Sequence, residues 1–111
     1  MEETGLFEAI YSQRQFTRYK TDPVPREAID KIIDAATKAP SGGNVQPWHF
    51  IAITEQDLIE KIGGLYRDLW LGSQGATPPP GESQAYTSAR YLANHMPEVP
   101  AMILVCADHS K

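Results

Sequence analysis

Arg14 and Arg18 are the first residues in this chain whose type and spacing could do chemistry. A separation of four puts both on one side of a helix or of an extended strand. Two planar, permanently charged forks converging from one face suit a phosphate, because each can donate paired hydrogen bonds to its oxygens. The same pair also suits a solvated helix end, where cations complement the dipole. Around them, from Ala9 to Thr21, the chain carries Arg14, Arg18 and Lys20 and no acid. That is a local positive patch in a chain of 10 Lys+Arg and 14 Asp+Glu, with a formal net charge of -4.

A second segment, Pro40-Ser41-Gly42-Gly43-Asn44, is built from small residues that let a backbone come close to a flat ligand. Ser41 and Asn44 put donors and acceptors at its rim. The same composition also makes an ordinary turn. Gln46-Pro47-Trp48 follows, a polar amide beside a large aromatic that serves either as a ligand contact or as a core residue opening a strand.

Other chemistries lack their residues. His49, His95 and His109 have no metal-ligand spacing, and Cys106-Ala107-Asp108-His109 has no second ligand pair, so no metal site is expected. There is no G-x-G-x-x-G, no Walker sequence and no G-x-S-x-G, which removes the usual dinucleotide, NTP and acyl-transfer signatures. The acidic balance offers no general attraction to nucleic acid or to an anionic membrane surface, and neither is expected as a partner. With 41% hydrophobic and 22% charged residues over 111 positions, the composition is that of one soluble globular domain. The longest apolar run, Ala101 to Ala107, is far short of the roughly 20 residues of a spanning helix. Met1-Glu2-Glu3-Thr4 lacks a basic stretch leading into an apolar one, so a cytoplasmic location is the expectation. Cys106, the single cysteine, sits in the apolar run and is expected to be buried and inert.

The elements that must position these segments can be read from periodicity. Thr4 can cap a first helix with Leu6, Phe7 and Ile10 on one face. Pro25 opens a second, striped by Ile29, Ile32, Ile33 and Ala36 and ended by Pro40. Trp48 to Thr54 is β-branched and aromatic and predicts a strand. Thr54 and Asp57 resemble a capping box before a helix striped by Leu58, Ile62, Leu65 and Leu69, which Gly63-Gly64 should weaken. Gly72 to Gly81, with Pro78-Pro79-Pro80, predicts a mobile loop, and helical spacing resumes from Tyr86 to Asn94. Val99 to Ala107 is apolar on every residue except Pro100, the pattern of a central strand covered on both faces. Two visible strands cannot cover it. Residues 1–111 are therefore expected to be a single but incomplete α+β domain, finished by a partner or by further chain.

Taken in order, Arg14-Gln15-Phe16-Thr17-Arg18-Tyr19, Val24-Pro25 and Ala39-Pro40-Ser41-Gly42-Gly43-Asn44-Val45-Gln46-Pro47-Trp48-His49-Phe50 closely resemble the nitroreductase family of flavin enzymes. Their pattern is an R-R-S-x-R-like segment followed by A-P-S-x-x-N-x-Q-P-W-x-F, and Val99 to Val105 is similar to that family's next strand. The resemblance implies the N-terminal half of a three-layer fold, and FMN as cofactor. It implies that Arg14 meets the FMN phosphate, that Gln15 and Phe16 line the ribityl path, and that Arg18 lies near the pyrimidine edge of the flavin. It further implies that Ser41 and Asn44 border the ring, with Pro40 and Gly42 also on the cofactor side and Gly43 on the substrate side. Phe16 stands where the family usually has serine, which removes one phosphate hydroxyl. A homodimer is implied, with further phosphate cations supplied by the C-terminal half of the fold.

The wording Ala39-Pro40-Ser41-Gly42 also resembles the branch of reductive dehalogenases acting on iodotyrosine. The region after Phe50 shows no acidic-aromatic lid like that branch's substrate clamp. The implied activity is electron transfer from NADH or NADPH through FMN to a small electron-poor acceptor such as a nitroaromatic or quinone, with no side chain required as nucleophile or acid. Two competing readings are a flavin-binding or dimerisation module without turnover, and an interaction domain in which both motifs are structural turns.

Overall fold

In the computed structural model, residues 3–110 are described; Met1, Glu2 and Lys111 lie outside them, and with them part of the acidic N-terminal stretch. Helix α1, Leu6–Ser12, starts from Gly5 rather than Thr4, and no side chain caps it. Its apolar residues find no core: Leu6, Phe7, Ile10 and Tyr11 are all exposed. Residues 13–25 then run without regular secondary structure to α2, Arg26–Ala36, whose N-cap is Pro25. Of the predicted apolar stripe on α2, Ile29 is buried and Ile33 half-buried, while Ile32 faces solvent.

Strand β1, Trp48–Ile53, pairs antiparallel with β2, Met102–Ala107, in a two-stranded sheet. The register runs from Trp48 opposite Ala107 to Ile53 opposite Met102, and the Asp108 N–H extends the ladder to the Pro47 carbonyl at 2.7 Å. Strand β2 begins three residues later than the strand expected over Val99 to Ala107, with Val99 buried in the core ahead of Pro100. It is not a central strand among the described residues. Leu104 and Val105 are 51% and 66% exposed, and as neighbours in a strand they point to opposite faces. Cys106, expected to be buried, is half-buried for the same reason.

Helix α3, Gln56–Gln74, passes unbroken through Gly63-Gly64 and takes three residues from the predicted loop. Glu55, not Thr54, is its N-cap, and no side-chain cap forms. Gly63 is required by packing: a Cβ there would lie 2.6 Å from the Pro97 nitrogen and 2.8 Å from the Met96 carbonyl carbon. Helix α4, Gln84–His95, is capped by the Ser83 hydroxyl, which accepts from the Tyr86 N–H at 3.3 Å, and a single 3-10 turn, Met96–Glu98, follows it.

Ile53, Ile59 and Val99 form the core, with Ile62 and Met102 against it. A second anchor is polar. The buried Arg90 binds Glu82 at 2.6 Å and also donates to the carbonyls of Gln74 and Gly75, tying the loop after α3 to α4. The Cα radius of gyration is 16.8 Å, against about 13 Å for a compact domain of this length. That open shape matches the uncovered β2 and α1.

Candidate functional site

The segment carrying Arg14, Gln15, Phe16 and Arg18 is irregular, so the shared face expected from four-residue spacing has no helix or strand to impose it. All four side chains are exposed. What holds the segment is local: the Tyr19 hydroxyl donates to the Phe16 carbonyl at 2.8 Å, and the Arg18 guanidinium lies 3.8 Å from the centroid of the Tyr91 ring on α4. Tyr91 stacks in turn on His95 at 4.1 Å, and His95 contacts the Glu98 carboxylate. Gln15, Tyr19 and Lys20 border a groove of ≈ 630 Å³ whose far wall is Leu92, Val99 and Met102.

The arginines divide by partner. Arg26, Arg67 and Arg90 are paired with Asp30, Asp68 and Glu82. Arg14 and Arg18 have no carboxylate partner among the described residues, so their charge and donors remain available to an anionic ligand.

The second segment is a strained, self-bonded loop. Gly42–Asn44 forms a 3-10 turn, and Gly43, Asn44 and Gln46 all have left-handed backbones, at φ 61°, 55° and 50°. For Gln46 that conformation is uncommon, and it is held by its N–H donating to the Ser41 hydroxyl at 3.0 Å and its side-chain amide donating to the Asn44 side-chain oxygen at 3.2 Å. Within the loop the N–H groups of Asn44 and Val45 are also consumed, by the carbonyls of Ser41 and Gly42. With three successive N–H groups used internally, the loop is no phosphate cradle. It can offer instead the Ser41 O–H and the Asn44 side-chain NH₂, which suit the polar edge of a flat ring. A Cβ on Gly42 would meet nothing within 4 Å, so open space lies over the backbone there.

These features fit a phosphate-bearing flat molecule such as FMN: unpaired guanidinium groups for the anion, and a shaped loop with free donors and an open glycine for the ring. Residues 40–47 take no part in lining the groove beside Gln15 and Tyr19. The sequence reading missed Tyr91 and His95, whose i, i+4 spacing on a predicted helix was a usable sign of stacked rings. It also missed Arg90, a charge set among apolar neighbours eight residues after an acid.

The profile of the Nitroreductase family matches residues 11–111. An inferred NADH dehydrogenase/NAD(P)H nitroreductase from Archaeoglobus fulgidus is 33% identical over 99 residues, 89% of this chain and 43% of that protein. One of the same description from Methanothermobacter thermautotrophicus is 44% identical over 57 residues, 51% of this chain and 30% of that protein. Among solved structures, an FMN-dependent nitroreductase from Clostridium difficile R20291 superposes with a TM-score of 0.65 at 20% identity, over 95% of this chain and 45% of its own. The chain spans less than half the length of each of these proteins.

Proposed function

The chain belongs to the nitroreductase family, and from that premise we propose that it forms the N-terminal part of an FMN-dependent oxidoreductase. The observation that carries this reading is the selective lack of carboxylate partners at Arg14 and Arg18, while the other three arginines are ion-paired. Arg14 would hold the phosphate, where a guanidinium fork matches two oxygens at once. Gln15 and Phe16 would line the ribityl path. Arg18 would present positive charge at the pyrimidine edge, favouring the reduced, more negative form of the flavin. Ser41 and Asn44 would border the ring with their remaining donors, Pro40 and Gly42 would give the ring room, and Gly43 would lie on the acceptor side. The chemistry that FMN supplies when bound is hydride acceptance from NADH or NADPH and electron delivery to a small electron-poor acceptor such as a nitroaromatic or quinone.

Residues 1–111 would not do this alone. Leu104 and Val105 on opposite faces of β2, with Leu6, Phe7, Ile10 and Tyr11 on α1, leave apolar surface that further polypeptide, from the rest of a longer chain and from a second subunit, would cover. The test is spectroscopic. Purified protein titrated with FMN should quench the flavin fluorescence and shift its visible absorbance bands, with the effect strengthened in a chain extended past Lys111. Unchanged spectra in both would refute the flavin reading and favour an interaction domain in which the two motifs are structural turns.

A further inference from the structure

Resting on the FMN reading above, we propose that Tyr91 of α4 is a positioning residue for the cofactor site, its ring holding the Arg18 guanidinium in the place from which Arg18 meets the flavin. Arg18 belongs to an irregular segment and is exposed, so nothing in its own backbone fixes a long side chain. Its guanidinium nevertheless lies 3.8 Å from the centroid of the Tyr91 ring, well within the range of a cation–π contact. Thr17 and Tyr19, the neighbours of Arg18, line a cavity of ≈ 200 Å³ together with Tyr91, Leu92 and His95, so the segment lies along α4 at this point.

The kind of partner matters. A carboxylate at hydrogen-bond distance would occupy guanidinium donors and offset the charge, as Glu82 does for the buried Arg90 and Asp68 for the Arg67 Nε. An aromatic ring meets the flat face and leaves the N–H donors at the edge, with the full charge, for a ligand. Tyr91 is itself fixed, stacked on His95 at 4.1 Å, with His95 against Glu98. The residue before it, Arg90, is buried and bound to Glu82. The column therefore runs from an anchored helix to an exposed cation, and removes side-chain freedom from Arg18 before any ligand arrives.

The experiment compares Tyr91→Leu, Tyr91→Phe, Arg18→Ala and the double variant Arg18→Ala/Tyr91→Leu, each checked for an unaltered far-UV circular dichroism spectrum. In the chain without FMN, the Arg18 side-chain Nε proton should show an upfield ring-current shift by NMR, kept in Tyr91→Phe and lost in Tyr91→Leu. With FMN, Tyr91→Leu should weaken binding by about two- to fivefold, the range of an exposed cation–π contact. It should also lower the flavin midpoint potential in the same direction as Arg18→Ala and by less, with Tyr91→Phe restoring both values. In the Arg18→Ala background, Tyr91→Leu should change nothing further. An unshifted Arg18 proton in the unaltered chain overturns the proposal, as does a Tyr91→Leu effect of equal size with and without Arg18, which would mark a general structural role. Failure of the unaltered protein to bind FMN, both as residues 1–111 and extended past Lys111, overturns the function reading and this one together, whereas FMN binding indifferent to Tyr91→Leu overturns this one alone.

Discussion

Gly63 and Gly64 are adjacent in one helix, yet replacing each by alanine should change stability in opposite directions. Both substitutions gain the same helix propensity, about 1 kcal/mol for Ala over Gly. At Gly64 the new methyl would meet only the end of the Arg67 side chain at 3.9 Å, an ordinary contact, so the gain is kept. At Gly63 it would lie 2.6, 2.7 and 2.8 Å from three backbone atoms of Met96 and Pro97. Backbone cannot swing aside as a side-chain tip can, so α3 and the Met96–Glu98 turn must part by most of an ångström. Overpacking of that kind costs roughly 1–3 kcal/mol and occasionally more. Net of propensity, Gly63→Ala should be destabilising by up to about 2 kcal/mol and Gly64→Ala stabilising by up to about 1 kcal/mol. Urea unfolding followed by circular dichroism would read both, with thermal midpoints moving in opposite directions by about 4 °C per kcal/mol. If both variants moved the same way, the close approach of α3 to the turn after α4 would not exist in solution, and the placement of Tyr91 would lose its support.

Four further outcomes are expected. Arg14→Ala should weaken FMN binding roughly 10- to 150-fold in a fluorescence titration, the loss of a charge-assisted bond worth about 1.5–3 kcal/mol; unchanged affinity would remove Arg14 from the phosphate. Arg18→Ala should leave the phosphate held and lower the midpoint potential, because the reduced flavin loses a counter-charge; spectroelectrochemistry showing no shift would take Arg18 away from the flavin edge. Gly42→Ala should leave the urea midpoint unchanged, since its Cβ meets nothing in the protein, while lowering FMN affinity; a variant that binds FMN normally would place the ring elsewhere. Arg90 donates to Glu82, and this bond, first among the causes, holds the carboxyl below its ordinary value of 4.5. A depressed carboxyl pKa contributes stability above the unfolded value and loses it as pH falls through the folded one. The stability advantage of the unaltered protein over Glu82→Gln should therefore be constant near neutrality and shrink in the acid range below 4.5; a difference independent of pH would argue against the pairing.

How much could be read without coordinates follows from how local each signal is. The strand Trp48–Ile53 and the helices around Ile29, Leu58 and Tyr86 are announced by periods of two and 3.6, which are properties of short windows, and each of them forms. The caps at Thr4 and Thr54 do not form, since a hydroxyl in the right place competes with other ways of starting a helix, here from Gly5 and Glu55. The weakening expected at Gly63-Gly64 does not break α3. Propensity there yields to packing, because Gly63 alone lets α3 lie against the backbone of Pro97.

The two candidate segments were legible because both are written in consecutive residues. Arg14 to Tyr19 and Pro40 to Phe50 can be matched as strings, and the free charge at Arg14 and Arg18 and the left-handed loop at Gly43-Asn44 are consistent with the roles expected of them. The sequence by itself thus determined the element types, the family resemblance and the candidate residues proposed for a flavin site. Only the tertiary structure decided which arginines have a carboxylate within ion-pair distance, that Tyr91 and not an acid meets Arg18, and that Arg90 is buried with Glu82. It also decided that β2 pairs antiparallel with β1 and leaves Leu104 and Val105 uncovered. The physical reason is distance along the chain. Arg18 and Tyr91 are 73 positions apart, and a contact of that reach depends on how the intervening helices and strands pack, which no local pattern of residue types encodes.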